Sequence, residues 1–369
     1  MKHQNVRMAK NIEECNAITH DGIFHSDDVF ACAILSLLYP EIVLMRTRDR
    51  SIIKLKRTDA IIFDVGLVYD PISSSFDHHQ ASFDKRRPGD GLKYASAGLI
   101  WLEFGDKILE KMLRERFDYC PGPEYIEVIK ARVDKSLLAD IDAHDTGEKL
   151  NFYTSNVTGY ISKKNLIWET DNPKAKNNGA FIEAVHYAKK ILETEIINAI
   201  SVEHGKAVTK EYVEAIEDEE TEILVLPRFV GGWASQITSM DTGVAKRLKI
   251  VVMPSFPEGD LWFARAIPDS RCDDDELNGF DGKCRMLFPE SWRTLSEKGF
   301  KLETGVEDAT FCNKDGSFVA ARTQEGAIRL AKLALEIKNQ EISIEEFAMQ
   351  SEHAVQLEPQ EAPLKEQVV

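Results

Sequence analysis

The first eighty residues alternate short apolar, β-branched runs with segments of helical spacing. Ala17–Thr19 is one such run, and it leads through THDGIFHSDD into an apolar helix over about residues 28–38. Two more runs follow, at residues 41–47 and 60–64, each of a length that suits a buried strand. This series predicts βαβ units and a mainly parallel sheet with flanking helices. Helical spacing then dominates over about residues 95–104, 107–117 and 124–138, before a polar loop, IDAHDTGE. A long amphipathic pattern over about residues 179–204 sets Phe181, Val185, Ala188, Ile191, Leu192 and Ile196 on one face, as an interdomain or packing helix does. Strand-like segments at residues 223–226, 248–253 and 261–267, with the turn formers PSFPEGD between the last two, predict a second, smaller α/β domain. Phe318–Ala321 and a helix over about residues 324–337 close it.

Length and charge sharpen this picture. A chain of 369 residues with 43% hydrophobic side chains is long enough for two domains with ample cores, which excludes a small stapled or collagen-like protein. The expected division is an extension at residues 1–16, a first domain at 17–205, a second at 206–338 and an acidic, disordered tail at 339–369. The longest apolar candidate, residues 29–39, falls short of the roughly 18–20 residues that a membrane span needs, so no membrane association is expected. The amino terminus has no apolar signal core, and the cytoplasm is the expected compartment. Six cysteines are scattered without a CxxC, which points to reduced thiols and away from a thiolate zinc site. The 46 Lys and Arg against 62 Asp and Glu leave a net charge of −16, which disfavours a protein that lives on long-range attraction to nucleic acid. Part of that acid is local, at residues 214–222 and in the tail, so a basic cleft is still compatible with the composition.

The chemistry concentrates at the ends of the predicted strands. His20, Asp21, His25, Asp27 and Asp28 crowd one loop; Asp64 terminates the run IIF; Asp77, His78 and His79 form a third cluster. In an open α/β sheet, side chains at the carboxyl ends of strands converge on one crevice, so distant loops can serve one point. Mixed His and Asp ligation suits Mn²⁺, Co²⁺, Zn²⁺ or Fe²⁺, and a carboxylate-rich set favours a metal pair bridged by one Asp. IDAHDTG offers a later contributor, Asp142 or Asp145, on either side of His144. Each cluster alone has an ordinary reading as cap, turn or solvated loop. Three of them within eighty residues favour a metal site. Arg46 and Arg48, in RTRD, are candidates to steer phosphate, or a solvated strand end; Ser96 is a substrate contact or a helix cap. Trp168, Trp233, Trp262 and Trp292 lack interleaved Lys and Arg and are read as core or interface before base platforms.

Asp77-His78-His79 resembles the signature triplet of the DHH phosphoesterase superfamily, which includes family II inorganic pyrophosphatases and RecJ-like exonucleases. More specifically, THDGIFHSDD, VLMRTRD, IIFDVGLVYD, FDHHQASF, YASAGLIWLEFG and IDAHDTG, then VVMPSFPEGDLWFARAIP, LFPESWRTL and ARTQEGAIRLAK, resemble in order the blocks of the melanocyte proliferating gene family. The resemblance implies a two-domain DHH phosphoesterase fold with a divalent-metal phosphodiesterase centre between the domains, and a 3′→5′ RNA exonuclease activity. It assigns His20, His25 and Asp27 to the first metal block, Asp64 to the bridging carboxylate, His78 to the second metal and Asp142 to the last carboxylate, with Asp145 as its rival. Asp77 is expected to orient an imidazole and His79 to lie nearer the substrate phosphate. Arg322 is the candidate phosphate clamp, against an ordinary pairing with Glu325. The chain departs from the family where Asp145-Thr146-Gly147 replaces DNG, and where Ala320-Ala321 replace a glycine-rich stretch.

The expected activity is therefore hydrolysis of RNA or a short oligonucleotide by a water activated between two divalent ions, Mn²⁺ first, with Mg²⁺ or Co²⁺ as alternatives. The acidic charge keeps a small phosphoanhydride or dinucleotide in play as substrate. A non-catalytic, metal-stabilised binding protein is the alternative from another class. Homo-oligomerisation is left open.

Overall fold

The computed structural model describes residues 5–56, 58–148, 152–165, 172–218, 220–257, 259–269 and 283–355. The chain divides into two compact units, Met1–Glu203 and His204–Val369. In the first, β1 (Val6–Met8), β2 (Ala17–Thr19), β3 (Ile42–Arg46), β4 (Ile61–Phe63), β5 (Tyr69–Asp70) and β6 (Ser75–Phe76) form one sheet in the order β1-β3-β2-β4-β6-β5. All pairings are parallel except the edge pair β5–β6. Residues 1–16, expected as an extension, thus contribute a strand, with Val6 opposite Ile42.

The helices of this unit are α1 (Ser26–Leu38), α2 (Arg50–Lys56), α3 (Ser96–Phe117), α4 (Pro123–Val133), α5 (Ala139–Asp145), α6 (Phe152–Lys163) and, as far as Glu203, α7 (Pro173–Glu214), whose remaining residues belong to the second unit. α1 is buried on every side from Ser26 to Leu37, which explains its nearly continuous apolar sequence. It packs with α3 in a core that contains Phe24, Phe30, Ile34, Trp101 and Phe181. The connection β2-α1-β3 runs to one side of β2, and β3-α2-β4 returns to the other. That reversal opens a crevice at the carboxyl ends of β2 and β4, where a ligand site is favoured in open α/β sheets.

Two helical segments depart from the sequence pattern. Residues 96–117 form a single helix rather than two, and Gly105 lets Lys130 of α4 approach α3 beside Trp101 of the same helix, where a Cβ would lie 3.2 Å from both side chains. Residues 134–138 form a π-helical turn that carries α4 into α5, so the expected loop IDAHDTGE is helical as far as Asp145. Insertions of this kind widen a helix locally and recur near functional groups.

The second unit holds a sheet in the order β10-β11-β9-β8-β7, built from β7 (Ile223–Val225), β8 (Ile250–Pro254), β9 (Trp262–Ala266), β10 (Ala309–Cys312) and β11 (Phe318–Ala321). Only β7–β8 is parallel. Its helices are α8 (Trp233–Ser239), α9 (Gly243–Arg247), α10 (Glu297–Thr304) and α11 (Gln324–Val355). Phe288, Trp292 and Phe300 fill one cluster with α11, and Trp233, Ile237 and Leu248 fill another. α11 continues well past Ile337, where the amphipathic pattern ends; residues 356–369 of the expected tail, with Trp168 and Cys272, lie outside the described residues. Among the described residues no helix is long and apolar enough to cross a membrane, and no cysteine is disulfide-bonded.

Candidate metal centre

Three neighbouring parallel strands deliver the polar side chains. His20 follows β2, Asp64 follows β4, and Asp77, His78 and His79 follow β6. His25 is the N-cap residue of α1, with its N–H donating to Asp28 Oδ1 at 2.8 Å, and this places Asp27 and Asp28 in the first helical turn. Asp64 takes a positive φ of 53°, a conformation an aspartate tolerates better than a bulky residue and one that recurs where function demands it.

Three groups of potential ligand atoms overlap at Asp64. His20, His25 and Asp64 form one; Asp27, Asp64, His78 and Asp145 form another, and within each group the atoms lie no more than 4.8 Å apart. Asp64, Asp77, His78 and His79 form the third. His20 Nε2 lies 3.2 Å from Asp64 Oδ2 and 3.3 Å from Asp28 Oδ2, and His78 Nε2 lies 2.9 Å from Asp145 Oδ2.

The electrostatics call for a cation. Asp27 is fully buried, and burial together with Asp64, Asp145 and Asp142 pushes its carboxyl well above the usual range. Burial pushes Asp28 up to about 7, against the opposing pull of His20. Asp64 Oδ1 and Asp28 Oδ2 are buried without a hydrogen-bond partner. Buried polar atoms are nearly always satisfied, and converging carboxylates cannot all stay ionised without positive charge between them. The donor set of imidazole and carboxylate fits Mn²⁺, Zn²⁺ or Fe²⁺.

Several neighbours position this set. The Asp27 carboxylate accepts the N–H groups of Ser96, at 3.0 Å, and Ala97, at 2.6 Å, and so caps α3 from the first turn of α1. Asp77 accepts the N–H of Leu67 at 2.5 Å through Oδ2; its Oδ1 lies 2.8 Å from His79 Nδ1. The imidazole it orients is thus that of His79, and this contact, against the cost of burial, raises His79 to about 9.

Other expected residues have partners of their own. Asp142 is fully buried, but its Oδ2 is held by Arg87 Nη2 at 2.8 Å and its Oδ1 accepts the Gly98 N–H at 3.0 Å. Asp145, one turn further along α5, presents the carboxylate to His78 instead. Ser96 is buried with its hydroxyl 3.2 Å from His78 Nδ1, so it holds an imidazole rather than facing a substrate. Arg46 is also buried: it donates to the carbonyls of His20 and Gly22 and lies over the Phe181 ring at 4.5 Å. Arg48 is exposed and lines the cavity that holds His20, His25, Asp64 and His79. Arg322 belongs to the second unit, at the end of β11, where it pairs with Glu297 at 3.3 Å and not with Glu325. Sequence reading missed Arg87 altogether. Its motif, DKRRPGD, reads as a solvated charged loop, and only the fold reveals that its guanidinium is buried.

Fold and site together define an α/β protein with a carboxylate–imidazole centre at the switch point of a parallel sheet. A family model described as MYG1_exonuc, an uncharacterised protein family (UPF0160), matches residues 16–335, and the chain belongs to that family. The resemblance read from the sequence blocks is thereby borne out. Human MYG1 exonuclease is 28% identical over 335 residues, covering 86% of this chain and 85% of its own length. A MYG1 protein of Caenorhabditis elegans is 28% identical, covering 86% and 94%, and one of Saccharomyces cerevisiae is 25% identical, covering 90% and 97%. Among solved structures, a pGpG-specific phosphodiesterase of Vibrio matches with a TM-score of 0.26 and 11% identity over 88% of this chain and 99% of its own, too distant to carry an argument.

Proposed function

We propose that this chain is a divalent-metal-dependent phosphodiester hydrolase, a 3′→5′ exonuclease acting on RNA or short oligonucleotides. The observation that carries the reading is the sharing of Asp64 by two ligand groups, His20/His25 on one side and Asp27/His78/Asp145 on the other. The name exonuclease, given to the mammalian relatives, agrees with it. His20, His25, Asp27, Asp64, His78 and Asp145 would hold two cations, with Mn²⁺ as the first choice. Such a pair supplies Lewis acidity that brings a water near neutrality in pKa and offsets charge on the phosphate oxygens. Asp64 fixes the spacing of the two groups, Ser96 and Asp77 hold the imidazoles of His78 and His79, and His79, half exposed in the cavity, offers a donor to a phosphate oxygen. No side-chain nucleophile is required.

The test is Asp64→Asn, assayed with Mn²⁺ on a labelled single-stranded RNA, on a dinucleotide and on pyrophosphate. The wild-type chain is expected to give a ladder shortened from the 3′ end, and the variant to lose about 10²–10³-fold in rate, the scale set by removing one strong electrostatic element of a site. Retained activity in the variant overturns the assignment. Turnover of pyrophosphate with intact RNA overturns the exonuclease reading and leaves a small-anhydride hydrolase. One tightly held metal with no turnover leaves a binding protein.

A further inference from the structure

The cavity beside Asp64 is lined by side chains of both charges. It measures about 590 Å³ and is lined by His20, His25, Asp64, Asp77 and His79 and also by Arg48, Arg50 and Lys54. Arg50 and Lys54 are four residues apart on α2, so they stand one above the other on one helix face. Both are exposed, and neither has an acidic partner within 4 Å among the described residues. Arg48 has only Asp21, at 3.9 Å. In a chain with a net charge of −16, uncompensated cations gathered beside a carboxylate-rich centre repel one another and gain from an anion. Arg48 also lines a second cavity of about 490 Å³, together with Lys174, Asn177 and Asn178 at the start of α7. There Lys174 has Asp21 as its acidic neighbour, at 3.9 Å, and the buried Oδ1 of Asn177 has no hydrogen-bond partner. The two cavities meet at Arg48, so positive side chains continue from Asp64 past α2 to α7. A single phosphoanhydride fills neither cavity, whereas a strand with successive phosphates can follow both.

We infer that Arg50 and Lys54, continued by Arg48 and Lys174, form a phosphate-binding wall that holds the backbone of a single-stranded oligonucleotide next to the scissile phosphate. This rests on the hydrolase reading above and adds to it a substrate class: a strand with at least two phosphates beyond the one cleaved. Single-strand binders track the backbone with such basic grooves.

The experiment compares the wild-type chain with the double variant Arg50→Ala/Lys54→Ala, using a 5′-fluorescein single-stranded 12-mer RNA. Binding is read by anisotropy with Ca²⁺ in place of Mn²⁺, over a series of salt concentrations. Turnover with Mn²⁺ is read as the ratio of kcat/KM for the 12-mer to that for bis(p-nitrophenyl) phosphate, which has no second phosphate. The variant is expected to bind the 12-mer roughly tenfold more weakly, to lose about 0.7 from the slope of log K against log salt for each phosphate contact removed, and to lower the turnover ratio about as far. Arg50→Lys alone, which keeps the charge, should retain most of the wild-type binding. Equal binding and equal salt slopes in wild type and variant overturn the wall, even where RNA is hydrolysed. A wild-type chain that hydrolyses neither substrate, yet shows the binding difference, overturns the hydrolase reading and leaves the wall in place.

Discussion

Replacing Arg87 with Met should destabilise the first unit far more than the loss of a surface arginine would. Arg87 is 4% exposed. Its Nε and Nη2 reach the two Asp134 oxygens at 2.7 and 2.9 Å, Nη2 reaches Asp142 at 2.8 Å, Nη1 reaches the Lys93 carbonyl at 3.1 Å, and the guanidinium lies 4.2 Å from the Tyr94 ring centre. Asp134 can turn to water, but Asp142 cannot, because it is fully buried. Removing one partner of a buried ion pair leaves an uncompensated charge and costs about 3–5 kcal/mol. For a unit of some 200 residues that lowers the melting temperature by roughly 6–20 °C. The deficit should depend on pH. Burial already pushes Asp142 up to about 6 in the presence of Arg87, and without that cation its folded-state pKa rises further. The folded variant then holds a proton that the unfolded chain, with a carboxyl near 4, has released. Stability therefore falls as pH rises through the folded pKa, so the deficit is small near pH 5 and largest near pH 8. Calorimetry across that range measures it, and a cycle with Asp142→Leu should return a coupling of about 2–3 kcal/mol. A deficit below about 1 kcal/mol that does not vary between pH 5 and 8 would refute the buried-pair argument.

Other consequences are sharper in direction than in size. Asp145→Asn should weaken Mn²⁺ binding by more than about tenfold in titration calorimetry, and Asp142→Asn should weaken it less, since only Asp145 faces His78. Mn²⁺ at about 100 times its Kd should stabilise the wild-type chain by about 2.7 kcal/mol, reversed by chelation and largely absent in Asp64→Asn. Gly205→Ala should destabilise the second unit by about 1–3 kcal/mol, because a Cβ there would press on the main chain of Gly231, with its nitrogen at 2.9 Å; a stabilised variant would contradict that close approach.

How much of this was legible depends on what each residue's signal required. The runs at Ala17–Thr19 and residues 60–64 are buried in the sheet, so their apolar sequences mark strands directly, and His20 and Asp64 could be placed at strand ends without a structure. β5 and β6 have two residues each, below the length at which alternation is visible, although β6 carries the DHH triplet. Asp142 and Asp145 are three residues apart on α5, so they lie within about 60° of one another around the helix, and no local pattern separates them. What separates them is Arg87, which is 55 residues upstream of Asp142 and reads as loop. Arg46 failed for a related reason: in sequence it resembles Arg48, and only the packing of Phe24 and Phe181 shows that it is covered. Long-range burial, unlike strand length or helical spacing, leaves no local trace.

The proposed centre holds two cations that share Asp64. Anomalous diffraction from crystals grown with Mn²⁺ tests it most directly. Two peaks are expected, each within about 2.2 Å of an Asp64 oxygen, one also touching His20 and His25 and the other Asp27, His78 and Asp145. A single peak, or two that leave Asp64 uncoordinated, would contradict it.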